Sequence, residues 1–447
     1  MNRWSKRMKI VLGVLVLTGV FAISANAKIS EETQQCMECH ADIMKGLVDQ
    51  WQSSNHWQAG VGCYECHAAD KGDADAMDHN GFLVATIVSP KDCAKCHPKE
   101  SAEQEASHHA KAGDILNTKD GLLGQTIGGE PAVAVGCRQC HGSIVKVMED
   151  GSLDPATWPN TGIGRVNPDG SKGTCSACHT RHRFSKEQSR KPEVCGKCHL
   201  GPDHPQKEVY EESKHGILYH AFKDELNMEN PKWVAGEDYY DAPTCSTCHI
   251  SATKNLPVTH DVGTRLSWNL RAPVSKRTKN WEQKLSEMKD VCNSCHGDAF
   301  VEGFYGQLDS FVDLYNSKFA VPAKEILALC IKEGVFTKAG FDEKIDWLYW
   351  ELWHHEGRRA RHGAAMSGPD YAWWLGIYDV AKNFYTEFMP EVKDACEKAG
   401  KPELYEQIIE KYINSDPRHE WFTKGFDPKK VDAMKAYYKE RYNQLVQ

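Results

Sequence analysis

The chain has 447 residues, of which 40% are hydrophobic and 26% charged, a globular balance that excludes disordered and fibrous classes. A formal net charge of −8 argues against nucleic-acid binding, which needs clustered Lys and Arg. Cysteine, with 18 residues, and histidine, with 21, are the outliers.

At the start, Arg3, Lys6, Arg7 and Lys9 precede an apolar run from Ile10 to Ile23, and Ala25-Asn26-Ala27 offers a small-residue cleavage site. This reads as a secretory signal peptide over 1–27. The apolar run has 14 residues, short for a transmembrane span. The expected mature chain is exported, periplasmic or equivalent, with no membrane span. Without the leader, 50 Lys and Arg face 62 Asp and Glu.

Sixteen of the 18 cysteines then fall into one pattern, CxxCH, repeated eight times. The pairs are Cys36 and Cys39 before His40, Cys63 and Cys66 before His67, Cys93 and Cys96 before His97, and Cys137 and Cys140 before His141. They continue as Cys175 and Cys178 before His179, Cys195 and Cys198 before His199, Cys245 and Cys248 before His249, and Cys292 and Cys295 before His296. This is the signature of c-type haem attachment. Two thiols three positions apart reach the two vinyl groups on one porphyrin edge, and the next residue supplies the proximal imidazole to iron. Zinc sites, disulfides and thiol redox sites also use CxxC, but none requires His after every second cysteine. Eight covalently bound haems are therefore expected. Cys330 and Cys396 lie outside the pattern, as two buried thiols or a disulfide.

Successive motifs start 27, 30, 44, 38, 20, 50 and 47 residues apart, which is no repeat of fixed length. Porphyrins at this density must form much of the core of residues 28–296, with short helices and loops wrapped around them. Strand-like alternation is scarce. Residues 297–447 carry no motif and predict longer helices at Gly303–Ala328, Phe341–Ala365, Tyr371–Phe388, Pro390–Lys398 and Lys429–Leu445. The fold class is thus mainly α: a multihaem domain over 28–296, then a helical bundle over 297–447.

Eight histidines are proximal ligands. Thirteen remain: His56, His79, His108, His109, His182, His204, His215, His220, His260, His354, His355, His362 and His419. A haem with two His ligands carries electrons, whereas an open position at iron permits chemistry. Thirteen candidates can fill every site, so counting does not separate the two. His182 follows proximal His179 too closely to cap the same iron and must serve another. The basic stretch Arg358, Arg359 and Arg361 before His362 is expected to meet haem propionates. Trp347, Trp350 and His354 share one helix face, a pattern more often core than cofactor site.

With these strings in view, the chain resembles the octahaem cytochromes of the hydroxylamine oxidoreductase family. The resemblance rests on the eight motifs, the aromatic helical C-terminal part, and local strings. These include Gly201-Pro-Asp-His-Pro-Gln206, Ser213-Lys-His-Gly216, Thr259-His-Asp261 and Trp353-His-His-Glu-Gly-Arg-Arg-Ala-Arg-His362. It implies seven bis-His haems and one open catalytic haem at the fourth motif, held by Cys137, Cys140 and His141. Asp203 and His204 then stand over that iron as acid/base groups, with Tyr305 a further pocket candidate whose alternative is helix packing. The rival role for His204 is an ordinary distal ligand. The remaining distal ligands become His56, His79, His108 or His109, His182, His215, His260 and His362.

The resemblance also implies a homotrimer, a cytochrome or quinol-linked redox partner, and a small inorganic nitrogen substrate. Oxidising members carry a tyrosine from a neighbouring subunit linked to the catalytic porphyrin. No string around Tyr405, Tyr412, Tyr437, Tyr438 or Tyr442 matches that residue, and the C-terminal membrane anchor of some oxidising members is not found. The reading leans to nitrite reduction. The alternatives are hydroxylamine or hydrazine oxidation, electron transfer without turnover, and reduction of sulfur oxyanions at a lysine-ligated haem.

Overall fold

A computed structural model describes residues 28–445; the expected leader, 1–27, lies outside the described residues. Among the described residues the architecture is mainly helical, with two short antiparallel ribbons. No described helix is long and apolar enough to cross a membrane.

The first helix, α1 (Glu31–Ile43), starts where Ser30 accepts a hydrogen bond from the Thr33 amide, with Glu31 and Glu32 in its first turn. Both features stabilise a helix N-terminus. Up to about residue 280 the elements are short. One ribbon pairs β1 (Met77–His79) with β2 (Phe82–Val84). Asn80 and Gly81 between them both have positive φ, the pairing a tight hairpin turn requires. That turn matters because it presents His79.

Longer helices follow: α2 (Trp281–Asn293), α3 (Asp298–Tyr315), α4 (Val321–Lys332), α5 (Lys344–Trp350), α6 (Gly357–Ala365), α7 (Asp379–Asn383), α8 (Met389–Lys398), α9 (Pro402–Ile408) and α10 (Pro428–Leu445). Several join end to end into longer rods. A π-helical turn at Asn316–Ala320 joins α3 to α4, one at Glu351–Glu356 joins α5 to α6, and one at Phe384–Phe388 joins α7 to α8. The break expected before Pro390 is therefore not a break. Pro322 and Pro390 each stand just after such a turn. Proline has no N–H and its ring crowds the carbonyl four residues back; the wider π turn relieves both conflicts.

The largest apolar core lies in this helical part, around Tyr315, Phe319, Ile326, Leu352, Phe384, Phe388 and Ile408. A smaller cluster joins Val301, Tyr305, Leu308 and Val312 of α3 to Trp268, Leu285 and Met288. Packing thus runs across residue 297.

Candidate haem sites and a polar pocket

Each CxxCH motif is a single helical turn. The His amide donates to the carbonyl of the first Cys in four motifs: His97 to Cys93, His179 to Cys175, His199 to Cys195 and His296 to Cys292, at 2.8–3.0 Å. The motifs of Cys63, Cys137 and Cys245 are short helices, and that of Cys36 lies within α1. This turn sets both sulfurs and the imidazole on one side. His67 Nδ1 lies 2.8 Å from the Ala85 carbonyl, which leaves Nε2 for a metal. His141 and His249 likewise have backbone hydrogen-bond partners, Ala112 and Val262.

The imidazoles test whether iron fits. Two nitrogens about 2.0 Å from one metal put their ring centres about 6 Å apart. His40 and His79 are 6.0 Å apart, His97 and His56 6.3 Å, His179 and His260 6.4 Å, and His296 and His215 6.2 Å. Each pair joins a motif histidine to one of the expected distal set. His182 lies near His67. Of the two candidates in the third-motif loop, His109 is the one turned inward, 6.1 Å from His199 and near His249. Its basicity falls to about 4, through burial first and then His249 and His108. His108 sits by Asp261 and Arg271. His362 is buried beside Gln206, with 3.5 Å between Gln206 Nε2 and His362 Nε2, close to His199 and His204.

The motifs are also near one another. Cys63 lies near Cys36, Cys66 near Cys93, Cys93 against Cys175, and Cys178 near Cys195. Cys195 lies against Cys245, Cys248 near Cys292, and Cys140 against Cys198. Haems held there would lie along one path through motifs one, two, three, five, six, seven and eight. The fourth motif branches from the sixth, with Cys140 Sγ 3.9 Å from the Lys197 carbonyl.

The fourth motif has distinctive surroundings. Gly142, directly after His141, has a φ of 76°, and a Cβ on Gly162 would overlap its backbone nitrogen. Side chains at either position would force the loop off His141. Around His141 lie His204, Asp203 and Asp120. His204 Nδ1 stands 3.0 Å from Asp203 Oδ1, Arg358 Nη1 donates to Asp203 Oδ2 at 3.1 Å, and His354 Nε2 is 3.0 Å from Asp120 Oδ1 and 4.0 Å from Asp203 Oδ2. Burial raises the Asp203 carboxyl. The contact with His204 and the charges of His204, His354 and Arg358 outweigh this and hold it well below the usual carboxylate range. Trp350 stacks on His354 at 3.9 Å and leaves it 5% exposed. His204 also lies 6.4 Å from His199, so its ring faces both the fourth and sixth motifs.

The arginines before His362, expected to meet haem propionates, have partners within the protein. Arg358 binds Asp203, Arg359 binds Asp379 at 3.2 Å, and buried Arg361 donates to Ser275 and to the Ala272, Gly357 and Trp353 carbonyls. Tyr305 packs in the α3 cluster with its hydroxyl 3.9 Å from Cys292 Sγ, at the eighth motif rather than beside Asp203. The sequence reading passed over Asp120 and treated His354 as core. The only signal for His354 was a histidine inside an aromatic stripe.

A family model described as "Seven times multi-haem cytochrome CxxCH" matches residues 58–340, and one for cytochrome c554 and c-prime matches 20–68. A probable nitrite reductase-hydroxylamine oxidoreductase fusion protein of Kuenenia stuttgartiensis is 23% identical over 83% of this chain and 52% of its own length. The polyhaem cytochrome OmcC of Geobacter sulfurreducens is 21% identical over 58% of this chain and 25% of its own. The chain thus spans about half or less of these relatives. Two solved structures share the fold. One is described as a hypothetical multihaem protein, with a TM-score of 0.76, 24% identity and coverage of 84% and 98% of the two chains. The other is a reducing HAO-like protein complex of Kuenenia stuttgartiensis, with a TM-score of 0.60, 20% identity and coverage of 83% and 86%. With paired imidazoles at iron-binding separation and a family model spanning well over half its length, the chain belongs to the multi-haem CxxCH cytochromes.

Proposed function

We propose that the chain is an octahaem oxidoreductase that reduces nitrite at the haem of its fourth motif, with the other seven haems as an electron relay. The observation that carries this reading is the Asp203, His204, His354, Asp120 and Arg358 cluster around His141. In this reading Cys137, Cys140 and His141 would hold the open haem, Asp203 and His204 would serve it, and the other expected histidines would cap the relay. Haem iron supplies a position for the substrate nitrogen and the means to pass electrons to it.

The rest of the chemistry belongs to the side chains. Reduction of nitrite to hydroxylamine or ammonia takes up more protons than electrons. His204, oriented through Nδ1 by Asp203, presents its other nitrogen as the donor. Asp203, held ionised, fixes that orientation and accepts from Arg358. The Asp120–His354 pair stands one step behind as a route to replace the proton. The name of the reducing complex points the same way, whereas that of the fusion protein covers both directions. The export, cytochrome or quinol-linked partner and homotrimer of the family resemblance belong to this reading as well.

A second reading, hydroxylamine or hydrazine oxidation, draws on Tyr437, Tyr438 and Tyr442, which stand 53%, 64% and 70% exposed along α10 where a neighbouring subunit could use them. The reduced absorption spectrum decides between them. An ordinary c-type spectrum with nitrite-dependent reoxidation supports reduction. A red-shifted Soret-region band with a porphyrin–tyrosine peptide after proteolysis supports oxidation. A fully low-spin protein that binds no ligand leaves only electron transfer.

A further inference from the structure

Haem attachment at eight motifs would use sixteen cysteines and leave two, Cys330 and Cys396. They stand 66 positions apart in sequence, yet both are 0% exposed and belong to the same apolar cluster. Cys330 lies near the C-terminal end of α4 and Cys396 near that of α8, and their side chains meet. The two helix ends are tied beside them. Lys401 Nζ donates to the Glu333 carbonyl, and the Lys401–Glu333 ion pair measures 3.8 Å. The Lys401 amide donates to the Cys396 carbonyl at 2.8 Å and the Val335 amide to the Cys330 carbonyl at 2.9 Å, which anchors both cysteine backbones.

We propose that Cys330 and Cys396 form a disulfide that cross-links α4 to α8. Each thiol loses its hydrogen, one S–S bond forms, and two protons are released. These protons and the two electrons convert a disulfide-bearing thiol oxidant of the extracytoplasmic compartment to its dithiol. Such a compartment is where structural disulfides persist, and c-type haem attachment leaves no other cysteine of this chain to compete. The order of events follows from the packing. In the closed core, burial and the neighbouring Cys396 sulfur push the Cys330 thiol up to about 12. The attacking thiolate is then scarce, so exchange takes place while the helices are still coming together. The bond is independent of which substrate the fourth motif serves. It closes a long loop of the unfolded chain, the arrangement in which a cross-link restricts that chain most.

The test uses haem-loaded protein, denatured in iodoacetamide with and without prior reductant, then digested for mass spectrometry. The expected result without reductant is no alkylated Cys330 or Cys396 and one linked peptide pair, lighter by about 2 Da than the two reduced peptides together. With reductant, both are alkylated. Alkylation of both without reductant overturns the proposal. A Cys396→Ala variant guards against another block on Cys330. There, Cys330 should be alkylated without reductant, and a Cys330 still protected in that variant also overturns the pairing. The readout is taken in denaturant, so it does not depend on the variant's stability.

Discussion

Replacing Glu356 with Gln should make the protein more stable at alkaline pH and leave it nearly unchanged in mild acid. Glu356 closes the π turn between α5 and α6, on the same rod as His354 and Arg358. Its carboxyl is pushed up from 4.5 to about 8, by burial first, with Asp379 and Glu351 adding to it and the Asn383 hydrogen bond and Arg359 opposing. The folded state therefore holds this proton more tightly than the unfolded chain does. Between those two values the folded state carries more protons, so stability falls as pH rises through the window. The gap corresponds to at most about 5 kcal/mol at 1.36 kcal/mol per unit. Water reaching a half-buried side chain brings the expected difference to roughly 2 kcal/mol. Asn383 Nδ2 lies 3.1 Å from Glu356 Oε2, and Asn383 Oδ1 is buried without a partner. A glutamine amide keeps the acceptor, offers Asn383 Oδ1 a donor, and removes the charge. The assay compares guanidinium midpoints of both proteins at pH 5 and pH 9, followed by circular dichroism; midpoints suffice because a chain of this size need not unfold in two states. All other groups titrate alike in the two proteins. Parallel pH dependences, or a variant less stable at pH 9 than at pH 5 relative to wild type, would refute the reasoning.

Other predictions follow from the haem sites. Intact mass spectrometry of exported protein should give the polypeptide from about Lys28 plus eight haems; seven or fewer means that at least one motif is misread. His204→Ala should lower nitrite turnover by at least about 100-fold with haem content and low-spin signals unchanged. A new five-coordinate haem in that variant would make His204 a distal ligand instead, of the sixth motif, whose His199 lies 6.4 Å away. His354→Gln should cost about 10-fold in turnover and alter the pH profile while leaving nitrite affinity near wild type. An unchanged pH profile would remove the Asp120–His354 pair from proton delivery.

Covalent chemistry is local, and that is why so much of it was legible. The CxxCH spacing, the proximal histidines and the mainly helical class all follow from residues within a few positions of one another. The distal histidines were legible only as a set that the family resemblance implied, through strings such as Ser-Lys-His-Gly and Thr-His-Asp. Their partners were not, since His260 reaches His179 and His215 reaches His296 only through tertiary packing. The same holds for the fourth-motif pocket. Asp120, Asp203 and His354 come from three distant segments, and no periodicity links them. The arginines before His362 have the composition of a propionate-binding face, and only the folded chain shows that they also pair with Asp203, Asp379 and backbone carbonyls. The α7–α8 rod shows the opposite limit of a local rule. A proline signals a break because an α-helical turn has no room for its ring, and only the folded chain shows a wider turn placed there to accept it. Sequence alone determined which atoms can bind haem. Which imidazoles share an iron, and which acid stands behind which base, was decided by the long-range packing of segments that have no local reason to meet.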